Sequence, residues 1–242
     1  MIRSWLVQES QRKISSRSIQ RKISVLRSYF RFLIREKIVA TNPMEKIVAP
    51  RVSRRLPYFI DSVKMDTLLD ETEFGPGFHG IRNHLIIQLL YTTGIRLSEL
   101  QSLTVENIDF RAGTIRVSGK RNKERLIPLT PEMVKGLNEY ILEREKLYGA
   151  SGPLFLSDSG KPMYPKAVYL IVRKYLGTIT THTRRSPHTL RHTFATQLLN
   201  NGADLNAVKE LLGHASLAAT QVYTHNTIEK LKNIYNQAHP KA

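Results

Sequence analysis

One run of sixteen residues, Gly113-Thr-Ile-Arg-Val-Ser-Gly-Lys-Arg-Asn-Lys-Glu-Arg-Leu-Ile-Pro128, breaks the helical rhythm of this 242-residue chain. Its β-rich residues form two short stretches around a Gly/Asn turn, which predicts a hairpin. Elsewhere the periodicity is helical. From Ser18 to Lys37 the apolar residues Ile19, Ile23, Leu26, Phe30 and Leu33 recur every three or four positions, as on a helix with one buried face. Further helices are predicted near Ser62–Thr72, over Ile81–Thr93 with Gly94 as the stop, at Leu97–Ser102, and over 131–147, 165–176, 187–200, 204–212, 216–223 and 227–237. Ser186-Pro187 reads as an N-cap followed by a first-turn proline, and Asp204 as the cap of the next helix. The predicted fold class is mainly α with a small antiparallel β-sheet.

Charge narrows the range of partners. Lys and Arg number 37 against 20 Asp and Glu, a formal net charge of +17 with pI near 10.2. Such a field attracts polyanions, either nucleic acid or an anionic membrane surface. Residues 1–56 carry fourteen basic and three acidic side chains, the remainder 23 and 17, so the excess sits towards the N-terminus. The prolines bracketing Ala49–Pro57, with Arg51, Arg54 and Arg55 between them, mark a linker. There is no cysteine, hence no disulfide or thiolate metal site. Met1–Ser10 lacks the apolar run of a signal peptide, and the longest apolar stretch, His84–Tyr91, is far short of the ~20 residues that span a bilayer. A soluble protein of the cytoplasm, away from the membrane, is the expectation.

Several side chains can do phosphate chemistry. His188 and Arg191 lie three apart at a helix start, where imidazole, guanidinium and the positive helix end can meet an anion. An isolated His-x-x-Arg is more often a capping histidine and a surface arginine. His192 points elsewhere and reads as a packing residue. Arg96 follows a glycine-ended helix, with Glu99 three residues on to hold it, although surface ion pairs of this kind are common. Lys120, with Arg121, Lys123 and Arg125, forms a basic hairpin tip, solvated or shaped to enter a groove. His214 sits just past a helix C-terminus, and Tyr223 is one of ten tyrosines that spacing alone does not single out. On the first long helix, Arg17, Arg21 and Lys22 are candidate phosphate contacts, as are Arg54 and Arg55 in the linker. There is no metal-ligand spacing, P-loop, dinucleotide fingerprint or nucleophile elbow, so no cofactor or metal is expected.

Taken together these residues resemble the tyrosine recombinase (phage integrase) family, and within it the bacterial Xer recombinases. The family order Arg, Lys, His-x-x-Arg, His, Tyr is matched by Arg96 in Gly-Ile-Arg-Leu-Ser-Glu-Leu, Lys120 in Ser-Gly-Lys-Arg-Asn-Lys-Glu-Arg, His188 and Arg191 in His-Thr-Leu-Arg-His-Thr-Phe-Ala-Thr, His214 in Leu-Leu-Gly-His and Tyr223 in Val-Tyr-Thr-His. The intervals are 24, 68, 3, 23 and 9 residues. The resemblance implies that Tyr223 attacks a DNA phosphate to give a 3′-phosphotyrosyl link. Arg96 and Arg191 then stabilise the charge on the non-bridging oxygens, and His214 donates a hydrogen bond. His188 accepts a proton near the nucleophile, and Lys120 protonates the leaving 5′-oxygen.

The resemblance further implies a tyrosine recombinase catalytic domain over 58–242, a linker over 49–57, and over 1–48 the C-terminal part of a helical core-binding (SAM-like) domain, truncated relative to the family. Implied partners are a double-stranded DNA recombination site and a homo- or hetero-tetramer with a paired recombinase joined through the C-terminal helix 228–242. A division-associated DNA translocase is a further implied partner. Chromosome dimer resolution is the expected role. The rivals are a mobile-element (phage or conjugative transposon) integrase, a non-catalytic DNA-binding relative and a type IB topoisomerase.

Overall fold

In the computed structural model, residues 2–51, 58–119, 124–213 and 225–241 are described, except for the side chains of Arg3 and of 225–230. The chain divides into two compact units, Met1–Leu56 and Pro57–Ala242.

In the first unit, helix α1 (Ile2–Gln11) precedes α2 (Ser16–Arg35), which opens where extended Ser15 accepts a hydrogen bond from the Ser18 amide. α2 closes two residues earlier than its apolar spacing predicts. Lys37 takes a left-handed conformation (φ 58°), and the Lys37 and Ile38 amides donate to the carbonyls of Ile34 and Leu33. Those bonds satisfy the helix's last carbonyls and turn the chain away. Of the five residues expected on a buried face, only Ile19 and Ile23 are sealed, against Met44 and Ile47. The reason is length. At ~1.5 Å per residue the ten-residue α1 reaches only half of the twenty-residue α2, so Leu26, Phe30 and Leu33 stay half-buried.

The second unit is built on α4 (Gly77–Thr93). Leu85, Ile86, Ile87, Leu89, Leu90 and Tyr91 are all buried, so this helix is apolar all round and must be covered on every side. Helices α6 (Pro131–Tyr148), α7 (Pro165–Ile179) and α8 (Pro187–Asn200) pack against it. Before it, α3 (Ser62–Asp66) runs into a π-helical turn, Thr67–Glu71, where one continuous helix was expected. After it come the short α5 (Leu97–Ser102) and a 3-10 turn, Val105–Asn107.

The predicted hairpin strands are present as β2 (Thr114–Ser118) and β3 (Glu124–Pro128), antiparallel, with Val117 opposite Arg125 and Ile115 opposite Ile127. A two-residue strand β1 (Ile108–Asp109), too short to carry a period, extends the sheet in the order β1-β2-β3. The hairpin turn and the helix predicted over 216–223 lie outside the described residues. Helix α9 (Leu205–Leu212) starts on Asp204, whose carboxylate accepts from the Asn206 and Ala207 amides. Among the described residues, no helix is long and apolar enough to cross a membrane.

The last helix, α10 (His225–Ala238), packs on its own unit. Leu231, Tyr235 and Ala238 are buried in the unit's own core, and the Tyr235 hydroxyl donates to the Thr92 carbonyl at 3.0 Å. Asn201 donates to the Ala238 carbonyl at 2.7 Å, and Lys241 pairs with Asp66 and Asp70. The helix expected to join a neighbouring copy thus packs against its own chain here.

Candidate active site

Arg96 is placed by its neighbours in sequence. Gly94 ends α4 in a left-handed conformation (φ 59°), and a Cβ there would lie 2.4 Å from the Phe194 ring, so only glycine fits. Buried Ile95 then anchors the chain, and Arg96 becomes the N-cap of α5. Three residues on, Glu99 reaches back to this helix start. Its Oε2 accepts from the Arg96 amide at 2.7 Å, and its Oε1 from Arg96 Nη1 at 2.8 Å.

The same carboxylate receives a second guanidinium. Arg125, on β3, donates Nη1 to Oε1 and Nη2 to Oε2, both at 2.9 Å. Glu99 is 2% exposed and accepts four hydrogen bonds, two on each oxygen. Burial alone would raise its pKa, but the hydrogen bonds from Arg125 and then from Arg96 outweigh it and hold the carboxyl at about 2. Because this folded value is depressed, the stability it contributes is full above the unfolded carboxyl range, ~4.3. It is lost as pH falls towards 2. Glu99→Gln is therefore expected to flatten the dependence of unfolding free energy on pH between ~4.5 and ~2. Denaturant melts across that window check this, and an unchanged acid slope would assign the linkage to another carboxyl.

Arg191, on α8, is 7% exposed. Its Nη1 donates to the Gly94 carbonyl at 2.5 Å and its Nη2 to the Leu212 carbonyl at 2.6 Å. Burial, then the nearby charge of Arg96, lowers its pKa to about 10, so it remains a cation at neutral pH. A further relation joins all three arginines. The last carbonyls of α9 have no partner inside the helix and carry its negative end. Leu211 accepts from Arg125 Nε at 2.7 Å, Leu212 from Arg191, and Gly213 from Arg96 Nη2 at 3.4 Å. Three guanidiniums from α5, β3 and α8 thus meet at one helix end.

Of the sequence-predicted site residues, Arg96 and Arg191 are brought together here. His188 lies in the first turn of α8 and is exposed, behind the N-cap Ser186 and Pro187. His192 is half-buried rather than a core residue, and burial, then His188, lowers its pKa. Lys120, His214 and Tyr223 lie outside the described residues, as do Arg54, Arg55, Arg121 and Lys123. On α2, Arg17, Arg21 and Lys22 are exposed, and Lys22 also bonds the buried carboxylate of Glu9 and lies 5.8 Å from the Trp5 ring centroid. Arg125 is the correction of most consequence: grouped by sequence with a basic hairpin tip, it is 4% exposed. The signal was present in the alternation. Arg125 and Ile127 share a parity, and Ile127 points into the core.

The phage integrase family model matches residues 59–230, and the phage integrase N-terminal SAM-like domain matches residues 1–37. Tyrosine recombinase XerC of Anoxybacillus flavithermus is 43% identical over 246 residues, covering 100% of this chain and 82% of that protein. Tyrosine recombinase XerC of Pelobacter propionicus is 41% identical over 242 residues, covering 100% and 79%. Among solved structures, the XerH site-specific recombinase bound to difH substrate is 28% identical with a TM-score of 0.61, over 81% of this chain and 59% of that one.

Proposed function

Because the chain belongs to the phage integrase family and is a site-specific tyrosine recombinase of the Xer type, we propose that it cuts and rejoins double-stranded DNA through a 3′-phosphotyrosyl link to Tyr223. The observation that carries this reading is the pairing of Arg96 and Arg191 at the end of α9, directly before His214 in sequence. A guanidinium has five N–H donors, and among the described residues each of these two gives two of its own to protein partners. The others would serve two non-bridging phosphate oxygens. Held in advance by Glu99 and by backbone carbonyls, the cations need no rearrangement as negative charge develops.

In this reading the Tyr223 oxygen attacks phosphorus in line. A phosphorus–tyrosyl oxygen bond forms as the bond to the 5′-oxygen breaks, so the phosphodiester energy is kept for religation. The tyrosine proton passes to His188. His214 adds a hydrogen bond to the phosphate, and Lys120 gives its proton to the departing 5′-oxygen. The difH-bound relative supports a duplex recombination site as ligand, with Arg17, Arg21, Lys22, Arg54, Arg55, Arg121 and Lys123 as further phosphate contacts. Residues 1–48 act as part of the DNA-holding domain, 49–57 as a linker and 58–242 as the catalytic domain.

Four copies, alike or of two kinds, would assemble on paired sites. Passing the C-terminal helix to a neighbour would then draw Leu231, Tyr235 and Ala238 out of their own core. The Xer-named relatives align over the whole chain, which favours chromosome dimer resolution in the cytoplasm, with a division-associated translocase as activator, over mobile-element integration.

A nicked suicide duplex carrying candidate recombination sites tests the function. A denaturation-resistant protein–DNA band with a free 5′-hydroxyl is expected, and its absence on every site that the protein binds would overturn the reading. Lys120→Ala should slow cleavage by about 10²–10⁴-fold, the usual weight of a general acid. A 5′-phosphorothiolate substrate, whose sulfur leaves without a proton, should restore most of the rate. If the sulfur substrate brings no recovery, Lys120 is not the acid.

A further inference from the structure

We propose that Arg125 is a positioning residue for DNA cleavage, fixing Arg96 through Glu99 and tying the β2–β3 hairpin to the end of α9. This rests on the function proposed above. Arg125 lies one residue into β3, the strand that follows the Lys120 connection, and occupies an inward position opposite buried Val117. At 4% exposure it has no surface to offer DNA. Among the described residues its three side-chain hydrogen bonds instead go to partners that the site depends on. The fork takes both Glu99 oxygens, and Nε takes the Leu211 carbonyl. The fit extends to Gly213, the αL residue (φ 63°) that ends α9. A Cβ there would meet Arg125 Nη1 at 3.0 Å and Cζ at 3.2 Å, so glycine leaves room for this guanidinium as well as for the turn.

The charges explain why a second arginine is needed. Glu99 faces Arg96 from its own helix start, Arg125 from β3 and Arg191 from α8. A buried carboxylate with one partner has unfilled acceptor sites and an uncompensated desolvation cost. Such a group takes up a proton and loosens its hold on the remaining cation. With Arg125 present, Glu99 stays ionised far below neutral pH, and Arg96 is held on two of its own atoms. Planarity matters too, because a lysine offers a point charge where this site uses a bidentate fork and a third donor.

The test uses the full chain on the suicide duplex, comparing wild type, Arg125→Gln and Arg125→Lys for site affinity, single-turnover cleavage and thermal melting. Arg125→Gln is expected to cleave about 100-fold more slowly at pH 7, the order of loss that a ~1 Å misplacement of a catalytic group brings. Affinity should stay within about threefold, since Arg125 does not reach the surface. The distinguishing readout is the pH profile. Relative to wild type, Arg125→Gln should gain an acid limb, its cleavage falling further as pH drops from 7 to 5 and Glu99 becomes protonated. Arg125→Lys should recover part of the rate and move the limb back down. A contact that serves folding alone would scale the profile without tilting it, and either that parallel profile or wild-type cleavage by Arg125→Gln overturns the proposal. Should Arg125→Gln fail to fold, Arg125→Lys decides: slower cleavage with the tilt supports it, and a wild-type rate and profile sink it. A wild type that forms no covalent complex counts against the proposed function instead, whereas a wild type matched by its Arg125 variants counts against Arg125 alone.

Discussion

Tyr223→Phe is expected to abolish the covalent protein–DNA complex, with cleavage falling at least ~10⁴-fold, the scale on which loss of a covalent nucleophile is felt. The substitution removes one oxygen and leaves the ring. Affinity for the recombination site should hold within about threefold, because binding draws on many phosphate contacts and the net charge of +17 is unchanged. The magnitude follows from the proposed chemistry. Without the phenolic oxygen there is no acceptor for the phosphoryl group, and the cations can only hold the phosphate. Water attack in its place would release a nicked product instead of a trapped one. Suicide-substrate trapping and gel-shift titration of the same variant separate the two effects.

Arg191→Ala should be almost as severe, by a different route. Losing a cation aimed at developing oxyanion charge costs about 10²–10³-fold in rate. The structure adds a second cost, since Arg191 is also the partner of two carbonyls at the ends of α4 and α9. Leaving a buried acceptor unsatisfied costs ~1–3 kcal/mol. The denaturation midpoint should therefore fall together with the cleavage rate. Arg191→Lys keeps the charge, but a single ammonium cannot reach the Gly94 and Leu212 carbonyls and a phosphate together. It should recover stability better than activity. Unimpaired single-turnover cleavage by Arg191→Ala would remove it from the active site.

Much of this fold could be read where local chemistry writes it. The start of α8 is set by the Ser186 hydroxyl and the fixed φ of Pro187, and that of α9 by the Asp204 carboxylate. Gly94 stops α4 by taking the left-handed conformation (φ 59°) that side-chain-bearing residues rarely adopt. All three are properties of short segments. Features set by distant parts of the chain were not legible in the same way. The two-residue β1 exists because β2 offers it an edge. α10 was readable as a helix, but the core that receives Tyr235 belongs to α4 and α8.

The candidate site divides along the same line. The pairing of Arg96 with Glu99 lies within one helical turn and was foreseeable from three-residue spacing. The meeting of Arg96, Arg125 and Arg191 at one helix end joins residues up to 117 positions apart, and nothing local encodes it. Arg125 is the instructive case. Its neighbours Arg121 and Lys123 suggested a solvated tip, while its parity with Ile127 placed it inside. Parity decides for a strand with one buried face. Tyr223 stands at the opposite extreme: among ten tyrosines it is distinguished only by the family register that begins at Arg96.

The most direct test of the central claim is to digest the trapped covalent complex of the wild-type chain with protease and nuclease and locate the DNA-derived adduct by mass spectrometry. A nucleotide phosphate on Tyr223, joined through its 3′-oxygen, is the predicted result. An adduct on any other residue, or one joined through a 5′-phosphate, would contradict it.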